Sequence, residues 1–360
     1  MYVRYTESVR GADVFVLQSH CTPVNKSIME QLIMIDALKR ASARSITAVC
    51  PLLGYSRQDK KHRGREPISC RLVFDLLRTA GADRVMSVDL HAAQTQGFFD
   101  GPVDHLIAMP VLVDYIRDRF DGHLDNVTVV SPDAGRIRVA EQWAQRLGGG
   151  PLAFVHKTRD ITRPNQAKAN RVVGDVKGKD CVLVDDLIDT AGTIAGACQV
   201  LREAGARSVT VVATHGVLSG PAVDRLKSCG AREVVLTDTV PIPEEKRWDG
   251  LTVLSIAPLL SSAIKAVFED GSVAELFDTT LNITGRDSCS PDWSLCRCET
   301  HRRRKVWAYG IMNTWRSHSA VPPWCNGSTR VFGTLCLGSS PGGGAIGRLV
   351  RIRGLGVRRL

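Results

Sequence analysis

Two adjacent carboxylates and a loop of small residues stand close together in residues 181–193, Cys-Val-Leu-Val-Asp-Asp-Leu-Ile-Asp-Thr-Ala-Gly-Thr. Four apolar residues, Cys181 to Val184, suit a buried strand, and Asp185 and Asp186 follow at its carboxyl end. Asp189, Thr190, Ala191, Gly192 and Thr193 then lead into a helix-like run from Ile194 to Leu201. Ligands of open α/β sheets bind beyond the carboxyl ends of strands. N–H groups at a helix start attract phosphate, and small residues let it come close. The carboxylates repel phosphate, so they should face something else, and sugar hydroxyls suit them. The segment reads as a sugar-phosphate site. The plainer alternative is a βα turn capped by Thr190.

Four other segments carry chemistry. Tyr55 to Arg65 is dense in basic residues and poor in apolar ones. Such a loop suits a polyphosphate, or is only a solvated loop. Asp89-Leu-His91 ends a strand, where His91 can ligate a metal or touch phosphate, although a lone histidine is more often structural. Asp133, in Ser131-Pro-Asp-Ala-Gly135, can hold Mg²⁺ directly or through water; the same residues also make good turn chemistry. Phe154 to Asp160 places Lys157 and Arg159 at alternate positions, on one side of an extended chain. The polar stretch from Ile161 to Asn170 then reads as a mobile flap bringing two cations onto a transferring phosphoryl group.

These residues need strands that end side by side. A recurring phrase, Leu-basic-x-x-Gly/Ser-Ala-x-x-Val/Ile, runs over Leu38–Ile46, Leu77–Val85, Leu201–Val209 and Leu226–Val234. Each copy predicts a helix end, a small residue near the cap and a following strand. The strands are rich in β-branched residues, as at Ile46–Val49, Val85–Val88, Val209–Ala213 and Val234–Thr237. Helix alternating with buried strand argues for an α/β fold with parallel sheets flanked by helices. Two copies before residue 100 and two after 200 suggest two related domains, although any α/β protein repeats such phrases.

The chain of 360 residues has a net charge of +10, but residues 281–360 hold 13 basic and 3 acidic residues, which leaves the rest neutral. The main body therefore gives no argument for nucleic-acid binding. No apolar run reaches the roughly 18 residues of a membrane span, and Met1-Tyr2-Val3-Arg4 lacks a signal-peptide pattern, which points to the cytoplasm. Cys21, Cys50, Cys70, Cys181, Cys198 and Cys229 are scattered as reduced core thiols are. Residues 281–360 hold four of the six tryptophans, five cysteines without two CxxC pairs, and a Gly-rich end. Zinc spacing is lacking there, and His301-Arg-Arg-Arg-Lys305 is best read as a solvated basic run. The tail is expected to be disordered. Val321 to Pro341 resembles a transfer-RNA gene read as protein, which implies read-through of non-coding DNA.

Taken together, the chain from Val3 to Asp278 resembles ribose-phosphate pyrophosphokinases. The resemblance rests on Glu7-Ser-Val-Arg-Gly11, Met34-Ile-Asp-Ala-Leu38, Tyr55-Ser-Arg-Gln-Asp59, Val88-Asp-Leu-His91, Gln96-Gly-Phe-Phe99, Ser131-Pro-Asp133, Val184-Asp-Asp186, Asp189-Thr-Ala-Gly-Thr193 and Ala213-Thr-His215. The Asp-Asp and Asp-Thr-x-Gly-Thr elements are shared with all phosphoribosyltransferases, whereas Arg-Gln-Asp and Asp-Leu-His are specific to the synthetases. The resemblance implies two phosphoribosyltransferase-like domains, residues 1–108 completed by about 260–278, and residues 109–259, followed by the 281–360 tail. It implies transfer of pyrophosphate from ATP to the anomeric hydroxyl of ribose 5-phosphate, giving 5-phosphoribosyl 1-pyrophosphate and AMP for nucleotide biosynthesis. Arg57, Gln58 and His91 would hold ATP, and His91 and Asp133 would bind Mg²⁺. Lys157 and Arg159 would stabilise the transition state, Arg159 also touching ribose 5-phosphate. Asp185 and Asp186 would contact ribose hydroxyls, and Asp189, Thr190, Ala191, Gly192 and Thr193 would cradle the 5-phosphate. The family also implies a homohexamer, with neither nucleic acid nor membrane as partner.

Two departures stand out. Ala191 replaces a glycine frequent in the family, which requires a negative φ or an N–H that still points inward. The family carries about forty more residues before Val3, supplying a first strand, a helix and a Phe-x-Asp/Asn-Gly-Glu segment that meets the ATP base from a neighbouring subunit, so the first domain is expected to be truncated, with a sheet edge uncovered. The alternatives are a phosphoribosyltransferase, which would not need Tyr55–Lys60 or Asp89–His91, and a non-enzymatic synthetase-like regulatory or degenerate protein.

Overall fold

The computed structural model describes residues 3–159, 167–277, 306–311 and 332–335, with side chains left undescribed at 157–159, 167–170 and in the last two stretches. The chain divides into two compact units, residues 1–106 with 259–360, and residues 107–258.

The first unit alternates strand and helix: β1 (Asp13–Leu17), α1 (Val24–Arg40), β2 (Ser45–Cys50), α2 (Ser69–Ala80), β3 (Arg84–Val88) and β4 (Val103–Leu106). The second contains α3 (Met109–Arg119), β5 (Val127–Ser131), α4 (Ile137–Arg146), β6 (Leu152–Arg159), β7 (Ala167–Val173), β8 (Asp180–Ile188), α5 (Gly192–Glu203), β9 (Ser208–Gly216), α6 (Ala222–Ser228), β10 (Glu233–Thr237) and β11 (Leu251–Leu254). The chain continues through α7 (Ala257–Phe268) to β12 (Val306–Ile311) and β13 (Phe332–Leu335).

The first sheet has the order β13-β12-β1-β2-β3-β4, the second β11-β10-β9-β8-β5-β6-β7. Among the described residues all pairings are parallel except β12 with β13 and β6 with β7. The tail, expected to be disordered, is described only at β12 and β13. There it is extended, and β12 runs along the outer edge of β1 with Asp13 opposite Val306.

The recurring phrase has a physical reading. In three copies the helix closes in the same way. The Ala N–H five residues past the phrase's leucine bonds to that leucine's carbonyl: Ala43 to Leu38 at 3.2 Å, Ala82 to Leu77 at 3.0 Å, and Ala206 to Leu201 at 3.0 Å. The preceding residue turns left-handed, with φ 63° at Ser42, 122° at Gly81 and 87° at Gly205. Paired bonds around a left-handed residue satisfy the last helical carbonyls and aim the chain back along the sheet. Each leucine is fully buried, and burying such a side chain contributes about 1.5–3 kcal/mol.

The units also share a staple at their strand starts. Asp13 accepts from Arg44 Nε at 2.8 Å and Ser45 Oγ at 2.7 Å. Asp180 accepts from Arg207 Nε at 2.9 Å and Ser208 Oγ at 2.7 Å. The matching words are Ala43-Arg-Ser-Ile-Thr47 and Ala206-Arg-Ser-Val-Thr210.

Five of the six main-body cysteines are buried, and all six are free thiols. Among the described residues no helix is long and apolar enough to cross a membrane.

Candidate active site

The second unit gathers one set of expected residues at the carboxyl ends of three neighbouring strands. The register sets Val130 of β5 opposite Leu183 of β8, and Ser131 opposite Phe154 of β6. Asp133 follows β5, Lys157 and Arg159 end β6, and Asp185 and Asp186 lie in β8. Strand β8 continues to Ile188, so the acids sit inside the strand rather than beyond its end. The β6–β7 register shifts between His156 and Thr158, the stretch that contains Lys157. The expected flap falls partly outside the described residues, at 160–166. Its remainder, Ala167–Asn170, is not a loop but the start of β7, with Arg159 opposite Ala167.

The acid pair is held from the β5 turn. Arg136 Nη2 donates to Asp186 Oδ2 at 2.6 Å, and its Nε stands 3.9 Å from Asp185 Oδ1. Asp185 Oδ1 also accepts the Asp186 N–H at 2.8 Å. Burial, and then the negative Asp186 beside it, push the Asp185 carboxyl well above its ordinary range, since both disfavour a second charge. Arg136 escapes a sequence reading because nothing but the β5–β8 neighbourhood brings it to the acids. Asp133 is half-buried, and its Oδ1 accepts the Gly135 N–H at 2.9 Å.

The 189–193 loop is built differently from the plainer alternative. Helix α5 has Ala191 at its N-cap, with no side-chain cap bond, so Thr190 does not cap it. Ala191 has φ 58°, so the negative φ set as one condition for an alanine there is not met. Its N–H direction is set by the neighbouring chain. Carbonyl oxygens of Ile188, Asp189 and Thr190 are each bonded from one side. Val217 and Leu218 N–H donate to Ile188 O at 3.0 and 3.1 Å, and Ser219 N–H to Asp189 O at 2.9 Å. Arg225 Nη1 donates to Thr190 O at 2.9 Å. A trans peptide points its N–H opposite its carbonyl. The N–H groups of Asp189, Thr190 and Ala191 therefore point away from residues 217–225. The first helical bond is Ala195 N–H to Ala191 O at 2.9 Å, so the first-turn donors lie ahead of the intrahelical ladder.

The first unit places its own set after two adjacent strands, with Cys50 of β2 opposite Ser87 of β3. Arg57 and Gln58 are exposed on the turn after β2. His91, half-buried, follows β3, on a turn where His105 Nε2 accepts the Leu90 N–H at 3.0 Å. The β2 turn is anchored by buried His20, whose Nδ1 accepts the Gly54 N–H at 3.0 Å. Its Nε2 then carries the proton and donates to Gln31 Oε1 at 2.8 Å. Burial lowers the His20 pKa to about 4.

Among the described residues no group of three His, Cys, Asp or Glu is poised for a metal.

Parallel sheets flanked by helices, with an acid pair in β8 and the start of α5 just beyond that strand, define the α/β class. Comparison with known proteins narrows this. Residues 1–81 match the N-terminal domain of ribose phosphate pyrophosphokinase, and residues 153–278 match the phosphoribosyl synthetase-associated domain. A ribose-phosphate pyrophosphokinase of Bifidobacterium longum is 93% identical over 279 residues, covering 78% of this chain and 82% of that protein. One from Corynebacterium efficiens is 66% identical over 278 residues, covering 77% and 85%. The crystal structure of phosphoribosylpyrophosphate synthetase from Mycobacterium smegmatis is 64% identical, with a TM-score of 0.71 over 75% of this chain and 87% of that one. The chain belongs to the ribose-phosphate pyrophosphokinase family.

Proposed function

We propose that this chain transfers the pyrophosphoryl group of ATP to the anomeric hydroxyl of ribose 5-phosphate, forming 5-phosphoribosyl 1-pyrophosphate and AMP for nucleotide biosynthesis. The observation that carries this is the 189–191 stretch, whose amides face away from the 217–225 brace just after the acid pair of β8, in a chain 93% identical over 279 residues to a ribose-phosphate pyrophosphokinase. The loop from Asp189 to Thr193 binds the 5-phosphate, and Asp185 and Asp186 the ribose hydroxyls. Arg57, Gln58 and His91 hold ATP. The anomeric oxygen attacks the β-phosphorus, the bond from that phosphorus to the α-phosphate oxygen breaks, and AMP departs. Such a transfer depends on in-line placement and charge neutralisation more than on covalent help from the protein. Lys157 and Arg159 supply positive charge to the transferring group. Mg²⁺ held by His91 at the ATP side, and by Asp133 at the ribose side, would neutralise phosphate charge. The enzyme works in the cytoplasm as a homo-oligomer, which the family resemblance suggests is a hexamer.

The test is AMP release from ATP, Mg²⁺ and ribose 5-phosphate by the full chain. Product is expected only when all three are present. Lys157→Ala is expected to lower kcat by about 10²–10⁴, the scale of losing a donor to transition-state charge. Absence of AMP from the unaltered chain overturns the activity, and unchanged turnover in the variant overturns the role of Lys157.

A further inference from the structure

Of the four bonds that turn the 188–190 carbonyls to one side, three come from backbone N–H groups and one from a side chain, Arg225 of α6. The backbone donors are fixed by the course of the chain after β9. The fourth can be removed by substitution. It acts on the 190–191 peptide, which precedes the left-handed Ala191 at φ 58°. An alanine resists that conformation because its Cβ crowds the following carbonyl. Rotating the 190–191 peptide by half a turn would bring φ of Ala191 toward negative values and would also turn its N–H to the opposite side. Arg225 opposes that rotation by holding the Thr190 oxygen. Its Nη1 lies 3.4 Å from where a Cβ on Gly192 would stand, so the guanidinium lies directly against the loop.

Resting on the reading of this loop as the ribose 5-phosphate cradle, we propose that Arg225 is a positioning residue for substrate binding. It holds the 190–191 peptide in the orientation that aims the Ala191 N–H at the 5-phosphate, against the rotation that alanine favours. Its positive charge also adds to the attraction for the dianion.

The experiment measures ribose 5-phosphate binding by titration calorimetry with Mg²⁺, and steady-state kinetics, on the full chain. Arg225→Ala is expected to weaken ribose 5-phosphate binding and raise its KM roughly tenfold, as for loss of one charge-assisted hydrogen bond, while KM for ATP stays within about twofold. Lys227→Ala removes a charge from the exposed face of the same helix and is expected to change neither. In an Ala191→Gly background, where left-handed φ carries no steric cost, Arg225→Ala is expected to cost distinctly less. A merely structural role for Arg225 would not depend on residue 191. Equal losses in both backgrounds, equal rises in both KM values, or unchanged binding in Arg225→Ala each overturn the proposal. If the unaltered chain binds no ribose 5-phosphate, this inference and the reading beneath it fall together. Binding without AMP release overturns the activity alone and leaves the comparison of variants decisive.

Discussion

Asp185 is a carboxylate held where a negative charge is costly. Its side chain is 15% exposed, its neighbour Asp186 carries the bond to Arg136, and its own pKa is raised by burial first. An acid whose folded pKa exceeds its unfolded value binds its proton more tightly when folded. Its ionisation therefore erodes stability as pH rises from about 3.8 through the folded value. Asp185→Asn keeps an oxygen for the Asp186 N–H and removes the charge. At pH 7 it is expected to raise Tm by roughly 2–4 °C, equivalent to about 1 kcal/mol, while weakening ribose 5-phosphate binding. A lower melting point would refute the charge argument. The acids and the loop were legible in the sequence because they are contiguous and local chemistry describes them. The left-handed Ala191 was not, because a φ imposed by bonds from residues 217–225 leaves no mark on residues 189–193. Arg136 and Arg225 were hidden for the same reason.

At the scale of elements, the legible features were those closed locally. The four repeated phrases marked helix ends and strand starts because leucine, a left-handed residue at or just past the cap and a following alanine form one short motif. The anchor of the β2 turn was not legible. His20 lies just after β1, Gln31 within α1 and Gly54 beyond β2, and only folding makes them neighbours. Gln31 Nε2 also donates to Val16 O at 2.9 Å, so the cluster ties two strand ends to a helix. His20 is 1% exposed with a pKa of about 4, against about 6.5 when unfolded. A histidine with a depressed folded pKa stays neutral while the unfolded chain takes up a proton. Stability is therefore complete above pH 6.5 and falls as pH drops toward 4. The loss across that window is about 3 kcal/mol. Denaturant unfolding of the full chain between pH 7 and 4 measures it, with His20→Asn as the comparison. A variant that loses as much stability as the unaltered chain over this range would show that His20 is not the titrating group.

On the proposed roles, the candidate residues of the whole molecule fall into separate units, those for ribose 5-phosphate in residues 107–258 and those for ATP in residues 1–106. A ligand that binds one folded unit shifts local opening of that unit most, by about 2.7 kcal/mol at a hundred times Kd. Amide hydrogen exchange is expected to slow in β8 and α5 with ribose 5-phosphate alone, and in the turns after β2 and β3 with ATP and Mg²⁺. Protection by ribose 5-phosphate confined to residues 1–106 would reassign the sites. The parallel α/β character of both units was legible from helix-strand alternation. The pairing of β12 with β1 was not, because residues 306–311 lie far along the chain in a stretch with no sustained periodicity.

The first unit is interrupted: its two stretches, up to Leu106 and from Leu259 onward, flank the whole of the second. A ribosome adding about 5–20 residues each second needs on the order of ten seconds to make that insert. Throughout that interval the second unit has everything it requires to fold, while β1 to β4 wait, emerged but unfinished. The unit that is translated first is thus the last to be completed, and the nascent chain is most exposed to unwanted strand pairing during that wait.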